Sequence, residues 1–170
     1  MASGIERLNA LSSEDVKEQF LSCCGSVNWA ERMAKERPFA SQEELLTCAE
    51  KIWWSLKRAD WLAAFRSHPK IGEQKAAEKV SIASQTWSQQ EQSSLSVAAL
   101  HTRQELAHLN QEYEQKFGYI YIVCATGKSS EEMLSILKRR MDNAPAEELR
   151  VAAAEQAKIT ELRLKKLVEQ

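Results

Sequence analysis

Helix-breaking residues are scarce in this chain, and this scarcity constrains the fold more than any other feature. Its 170 residues include only five Gly and three Pro, the two residue types that most often end or kink a helix. We therefore predict an all-α fold, a helical bundle of about seven or eight helices. The length fits one domain over residues 1–170, and at this size folding buries roughly 70% of the unfolded chain's surface.

Capping residues predict where the helices begin. Ser41 followed by Glu44 is a capping-box signature, and Asp60 is placed to cap a brief helix that must end near Pro69. Residues 70–86 are predicted to form a polar loop. The predicted helices run from Ser12–Asp15 to Gly25, from Asn28 to Glu36, from Ser41 through Trp54, from Trp61 to Ser67, from Ser88 to about Lys116, from Ser129 through Arg140, and from about Pro145 onward.

One segment has the chemistry of a strand. Residues 117–125 are aromatic and β-branched, and Gly118 and Gly127 bound them. No second strand is predicted to pair with this isolated extended segment, and a buried backbone group without a partner costs about 1–3 kcal/mol. Our hypothesis is that the segment lines a binding site and recognises a urea- or lactam-like group through its main chain. A buried helical turn, or a strand paired across a dimer, would satisfy the same groups.

Composition and charge exclude several classes of protein. A hydrophobic fraction of 44% with 28% charged residues argues against disorder. A formal net charge of -1 without a basic cluster gives no support to a nucleic-acid partner. No apolar run has the length of a membrane span or the form of a signal peptide, so we expect an intracellular chain without membrane association. The four cysteines form no C-x-x-C pair and indicate reduced thiols: Cys23, Cys24, Cys48 and Cys124.

His68 is the first residue that could carry chemistry. It lies where a short helix ends, and Pro69 directly after it favours extended geometry. A helix C-terminus stabilises the protonated imidazole, a useful bias for a group that binds or protonates an anion. A surface histidine that only caps the helix would give the same pattern.

Ser88, Glu91 and Gln92 form the second candidate. Helical spacing puts a hydroxyl, a carboxylate and an amide on one side of the first turns of a helix. Ser88 followed by Glu91 is equally the signature of a capping box, and the two roles are compatible.

Arg163 is the third candidate. It shares a helical face with Ile159, so its guanidinium is expected over apolar surface, where it needs a carboxylate or another planar anion. The alternative is an exposed arginine paired with a neighbour such as Glu161.

A metal site is not predicted. Glu105-x-x-His108 resembles half of a di-iron helical motif, but the second half of such a motif is absent from the sequence. The five tryptophans are most simply core residues.

A set of short motifs follows in order along nearly the whole chain. They are Leu8-Asn9, Trp61-Leu62 with Phe65, His68-Pro69-Lys70-Ile71-Gly72, Ser88 with Glu91-Gln92, Phe117-Gly118-Tyr119-Ile120-Tyr121-Ile122-Val123-Cys124-Ala125, and Glu155-x-x-Lys158-Ile159-x-x-Leu162-Arg163-Leu164. Each is weak alone, but the ordered set closely resembles the 2-oxo-4-hydroxy-4-carboxy-5-ureidoimidazoline (OHCU) decarboxylase family. The chain looks most like the plant members, in which this domain precedes a transthyretin-like hydrolase domain that is absent here.

The resemblance implies an all-α enzyme, commonly a homodimer, with a small-molecule substrate and neither a metal nor an organic cofactor. It implies His68, Glu91 and Arg163 as catalytic residues. The substrate-binding residues that it implies are Pro69, Ser88, Gln92, Ile122, Val123, Cys124 and Ala125. Residues 73–86 depart from the family pattern, so contacts from that loop are not carried over. A peroxisomal or cytoplasmic location is expected.

The implied reaction is the decarboxylation of OHCU to (S)-allantoin in urate degradation. His68 would engage the carboxylate and hydroxyl on the reacting carbon, Glu91 would manage proton delivery, and Arg163 would anchor an anionic or carbonyl oxygen. Two rival interpretations remain: a non-catalytic helical interaction module with a degenerate pocket, and a metal-dependent helical-bundle enzyme. Turnover of the substrate, tolerance of Glu91→Gln and bound metal distinguish the three.

Overall fold

The structure is a computed structural model, and it describes residues 1–69 and 100–170. Within those ranges the chain forms eight α-helices and no β-strand, so the prediction of an all-α fold is confirmed. The helices are α1 (Gly4–Ala10), α2 (Ser13–Cys23), α3 (Val27–Lys35), α4 (Gln42–Ser55), α5 (Arg58–Arg66), α6 (Leu100–Phe117), α7 (Ser130–Arg140) and α8 (Pro145–Glu169).

Serine hydroxyls cap the helices at the predicted starts. Ser12 accepts a hydrogen bond from the N–H of Asp15, Ser41 from that of Glu44, and Ser129 from that of Glu132. Each bond satisfies one of the N–H groups that lack a partner in the first helical turn. Helix α8 begins at Pro145 itself, where the missing N–H of proline costs nothing.

The predicted start of α5 was wrong by three residues. The helix begins at Arg58, and the carbonyl of Lys57 accepts the N–H groups of Asp60 and Trp61. The Asp60 carboxylate accepts the N–H of Lys57 at 3.4 Å. Asp60 therefore stands at the third helical position and reaches back to the capping residue, as the acidic partner of a capping box does.

Helix α1 was not predicted, although its signal is in the sequence. The Ser3 hydroxyl accepts the N–H of Glu6, and the Glu6 carboxylate accepts the N–H of Ser3, a complete capping box. The helix packs closely on the C-terminal part of α8, because a Cβ added at Gly4 would meet the backbone of Val168. A residue without a side chain is therefore required at Gly4.

The described residues divide into two compact units. Unit 1 comprises residues 1–64 and 157–170, and unit 2 comprises residues 65–156 apart from the stretch that the structure does not describe. In unit 1 the rings of Phe20 and Trp29, both fully buried, meet edge to face at 5.9 Å. In unit 2 the ring of Tyr113 contacts that of Tyr121 at 5.6 Å. One domain over residues 1–170 stays a prediction.

Residues 120–125 of unit 2 belong to no helix, so a buried helical turn is not the conformation of this segment. Gly118 and Gly127 bracket it with φ values of 86° and 76°. These values lie in the left-handed region, which glycine adopts without a steric penalty. The glycines therefore let the chain leave α6 and turn towards α7.

Among the described residues, no helix combines the length and the apolar character that crossing a membrane requires.

Candidate functional site

His68 follows the end of α5 and is held at both its backbone and its ring. Its N–H donates to the carbonyl of Phe65 at 3.2 Å. Its Nε2 lies 2.6 Å from Oε1 of Gln156, a residue of α8 with an exposed fraction of 0%. Half-buried and anchored on a buried amide, His68 is not simply a surface residue that caps a helix.

Of the other residues in the first two candidate groups, the structure describes only Pro69. Pro69 is half-buried and is the last residue of the described range 1–69. Ser88, Glu91 and Gln92 lie outside the described residues, and so does the loop at 73–86. The predicted roles of these residues stay predictions.

The segment Ile122–Ala125 is buried at every residue. The carbonyl of Ile122 accepts from Nη1 of Arg140 at 2.6 Å, and the N–H of Cys124 donates to Oε1 of Glu155 at 3.3 Å. The carbonyl of Cys124 accepts from Nζ of Lys128 at 2.8 Å. Charged side chains thus take the place of a neighbouring strand for these three backbone groups, and recognition of a ligand by the segment stays a prediction.

Behind this segment lies a buried ionic cluster in unit 2. Arg140 at the end of α7 donates through Nε to Oε2 of Glu148 at 2.9 Å, and Tyr113 donates its hydroxyl to the same carboxylate. Burial lowers the pKa of Arg140, but the hydrogen bonds and charge of Glu148 outweigh it, so the net direction is upward. Burial is also the main reason why the pKa of Tyr113 is raised. Arg140 therefore remains charged and Tyr113 neutral at any ordinary pH.

Arg163 on α8 is buried in unit 1, with an exposed fraction of 1%. This agrees with the apolar helical face predicted for it, and Glu161 pairs with Lys165 at 2.8 Å instead. Burial raises the pKa of the Cys24 thiol to about 11. Hydrogen bonds, among them one with Thr160, and the nearby charge of Arg163 lower this pKa by less.

The three catalytic candidates occupy different parts of the chain. His68 belongs to unit 2, Arg163 to unit 1, and Glu91 lies outside the described residues. Their common action on one substrate stays a prediction. What unit 2 does bring together is His68 with Gln156, and the segment at 122–125 with Glu155, Lys128 and Arg140.

Sequence reasoning missed Gln156, Arg140 and Glu148. Gln156 follows directly after Glu155 of the last motif, but nothing in that motif connects it with His68, 88 residues earlier. Arg140 and Glu148 lie on opposite sides of the turn between α7 and α8. A long arginine at a helix end is an ordinary surface feature, so the sequence offered no signal that it would be buried.

The residues considered for a metal site have other partners. Glu105 pairs with Lys138 at 2.8 Å, and His108 lies 3.2 Å from Glu112. In the parts of the chain that the structure describes, no group of three or more potential ligands converges. Independence from metals and cofactors stays a prediction. All four cysteines are free thiols.

Comparisons with known proteins agree with one another. The model of the family described as OHCU decarboxylase matches residues 9–165. A bifunctional uric acid degradation protein of Arabidopsis thaliana is 39% identical over 92% of this chain, and the chain spans about half (48%) of its length. An OHCU decarboxylase of Haloferax volcanii is 29% identical over 94% of this chain and 93% of its own.

Solved structures give the same picture. An OHCU decarboxylase crystallised in the presence of (S)-allantoin superposes with a TM-score of 0.78 at 38% identity, over 90% of this chain and 99% of that one. An (S)-allantoin synthase superposes with a TM-score of 0.72 at 16% identity, over 96% of this chain and 54% of that one, a likeness of fold alone.

Proposed function

We propose that this chain, which belongs to the OHCU decarboxylase family, is a carbon–carbon lyase that converts OHCU to (S)-allantoin in urate degradation. The observation that carries this is the match of one family over 9–165, together with a 38% identical structure solved with (S)-allantoin. Two relatives that this chain covers almost completely are named OHCU decarboxylases.

The reaction does not require the protein to supply an electron acceptor. The bond between the ring carbon and the carboxylate breaks, and its electron pair passes into the conjugated C=N of the ring. The nitrogen of that C=N receives the displaced electron pair and takes up one proton. The hydroxyl on the reacting carbon loses its proton as the carbonyl of allantoin forms, and the neighbouring ring carbon gains another proton. The substrate is its own electron acceptor, so what remains for the enzyme is to orient the ring and to move protons.

His68 is the group that engages the carboxylate and hydroxyl on the reacting carbon. Its position at the C-terminus of α5 stabilises a positive charge on the ring, which suits contact with a carboxylate. The hydrogen bond to Gln156 supports a fixed imidazole, and a fixed group loses less entropy when it enters the transition state.

Glu91 and Arg163 complete the catalytic set by resemblance to the family. Glu91 manages the proton that is added to one face of the ring, and Arg163 anchors a carbonyl or carboxylate oxygen. The burial of Arg163 supports its role, because a guanidinium away from water binds a planar anion strongly and in a defined orientation.

Substrate binding is assigned to Pro69, Ser88, Gln92 and the segment Ile122–Ala125. The burial of that segment and its fixation by charged side chains support a preformed wall that orients the ureido group. We further propose a homodimer, a peroxisomal or cytoplasmic location, and a bifunctional parent protein in which a transthyretin-like hydrolase domain is fused to this one. The name of the plant relative, which calls that protein bifunctional, supports the last proposal.

The test follows circular dichroism while OHCU, freshly generated from urate, decays. Spontaneous decay gives racemic allantoin, so an enzyme produces a growing signal of one sign. General acid–base groups contribute roughly 10²–10⁴-fold, and we expect His68→Ala to lower kcat by at least 10²-fold in a folded protein. His108→Ala is the matched control, since it removes the same side chain from an exposed position on α6. A wild-type protein without enantioselective turnover would leave the helical interaction module as the better description.

A further inference from the structure

We propose that Gln156 is a positioning residue that holds the imidazole of His68 in one tautomer, with the proton on Nε2, so that Nδ1 is the ring nitrogen that exchanges a proton with the substrate. This inference rests on the proposed function only for the role of Nδ1. The tautomer itself follows from the contact between the two side chains.

The contact is short and one of its partners is deeply buried. Nε2 of His68 lies 2.6 Å from Oε1 of Gln156, whose exposed fraction is 0%. Burying an amide is unfavourable unless it is hydrogen-bonded, so a glutamine at this depth needs polar partners within the protein.

The chemistry of the two atoms sets the tautomer. A carbonyl oxygen only accepts hydrogen bonds, so the Nε2 that it contacts must donate. The same oxygen accepts from Nε2 in both the neutral ring and the imidazolium, and the contact therefore persists while Nδ1 gains or loses a proton. Fixing one ring nitrogen in this way determines the role of the other.

A neutral amide is suited to this task in a reaction that begins with an anion. A carboxylate in place of Gln156 would orient the ring equally well, but its negative charge would oppose the approach of the substrate carboxylate. Glutamine gives the orientation without the charge.

The first experiment measures the tautomer directly. Long-range ¹H–¹⁵N correlation spectra of the labelled protein at mildly alkaline pH distinguish a protonated from an unprotonated ring nitrogen. The chain has three histidines, and the signal missing from His68→Ala identifies His68. We expect a neutral ring protonated at Nε2. A ring protonated at Nδ1 would overturn the proposal, because it would mean that the amide NH₂ of Gln156 donates instead.

The second experiment separates positioning from packing. Gln156→Leu removes the acceptor, and we expect mixed tautomers at His68 with a fall in kcat of roughly 10–100-fold, the usual cost of losing a partner that orients a functional side chain. Gln156→Glu keeps an acceptor, so it should keep the Nε2–H tautomer and retain more kcat than Gln156→Leu. Its added charge should raise KM.

The possible failures are distinguishable. Loss of thermal stability without a change of tautomer in the folded Gln156→Leu protein would reduce Gln156 to a packing role and contradict the inference. If Gln156→Leu does not fold, the wild-type tautomer and the comparison with Gln156→Glu still decide it. A wild-type protein that holds the Nε2–H tautomer but does not turn over OHCU would contradict the proposed function and the role of Nδ1, and would leave the tautomer assignment intact.

Discussion

Single residues owe much of their chemistry here to burial, and the cysteines illustrate this most simply. Cys23, Cys24 and Cys124 are buried, whereas Cys48 on α4 is partly exposed. The thiolate is the reactive form of cysteine, so both access and pKa control its modification. Burial raises the pKa of Cys24 to about 11. Burial and the nearby carboxylates of Glu36 and Glu44 also raise that of Cys48.

We therefore predict that iodoacetamide labels only Cys48 in the native protein. Labelling should be slow at neutral pH and accelerate as the pH rises, at higher pH than for an unhindered thiol, because a raised pKa delays formation of the thiolate. Peptide mass spectrometry after timed labelling measures this, and denaturant should expose all four thiols. Cys48→Ser is the control and should abolish native labelling. Fast native labelling of Cys24 would show that the thiol is not enclosed.

The sequence correctly predicted that His68 lies at a helix end and that Arg163 is buried. Both predictions rest on local patterns: a histidine directly before a proline, and an arginine on an apolar helical face. The sequence could not predict the contacts of Gln156 and Glu155, because their partners lie 88 and 31 residues away in the chain. Periodicity describes which side of a helix a residue occupies, and it does not identify what meets that side.

At the scale of elements, the segment at 120–125 depends on side chains for the hydrogen bonds that a sheet would otherwise provide. Arg140 at the end of α7 binds both the carbonyl of Ile122 and the carboxylate of Glu148 on α8. Its guanidinium also lies over the ring of Tyr121 at 4.8 Å. One cation therefore joins a loop and two helices of unit 2.

Removing one partner of this pair should destabilise the protein strongly. Arg140 and Glu148 are 5% and 0% exposed, and breaking a buried ion pair typically costs about 3–5 kcal/mol, since the remaining charge is left without compensation. We predict this loss for Glu148→Leu and for Arg140→Met in denaturant unfolding. The double variant should recover part of the lost stability, because no unpaired charge remains. Its KM for OHCU should be raised, because the carbonyl of Ile122 has lost its donor. Additive losses in the double variant would mean that the two side chains are not coupled.

The prediction of helix boundaries succeeded where a serine side chain caps the helix. It failed at α5, where an acidic side chain takes part in the capping. Ser12, Ser41 and Ser129 cap as predicted, but Asp60 acts from inside α5. An aspartate is acceptable both as a capping residue and at the third helical position, so its identity alone does not fix the boundary.

The family motif Leu8-Asn9 also has a structural role, because the Asn9 side-chain amide pairs with both the N–H and the carbonyl of Phe39.

At the scale of the whole molecule, helix α8 contributes to both units, with Gln156 in unit 2 and Arg163 in unit 1. The family resemblance assigns His68 and Arg163 to the same reaction, although the contacts within each unit do not test whether they act together. Kinetics can test it, because residues that act on one bound substrate have effects that are far from additive.

We predict that the double variant His68→Ala/Arg163→Lys loses little more kcat/KM than the more damaging of the two single variants. Arg163→Lys keeps the charge and loses the planar, bidentate grip, so it is the milder change at a buried position. Circular dichroism of the folded variants and initial rates of (S)-allantoin formation measure the cycle. Cys48→Ser in the His68→Ala background is the control and should leave the residual rate unchanged. If the two single losses multiplied, His68 and Arg163 would act independently, and the proposed catalytic set would have to be divided.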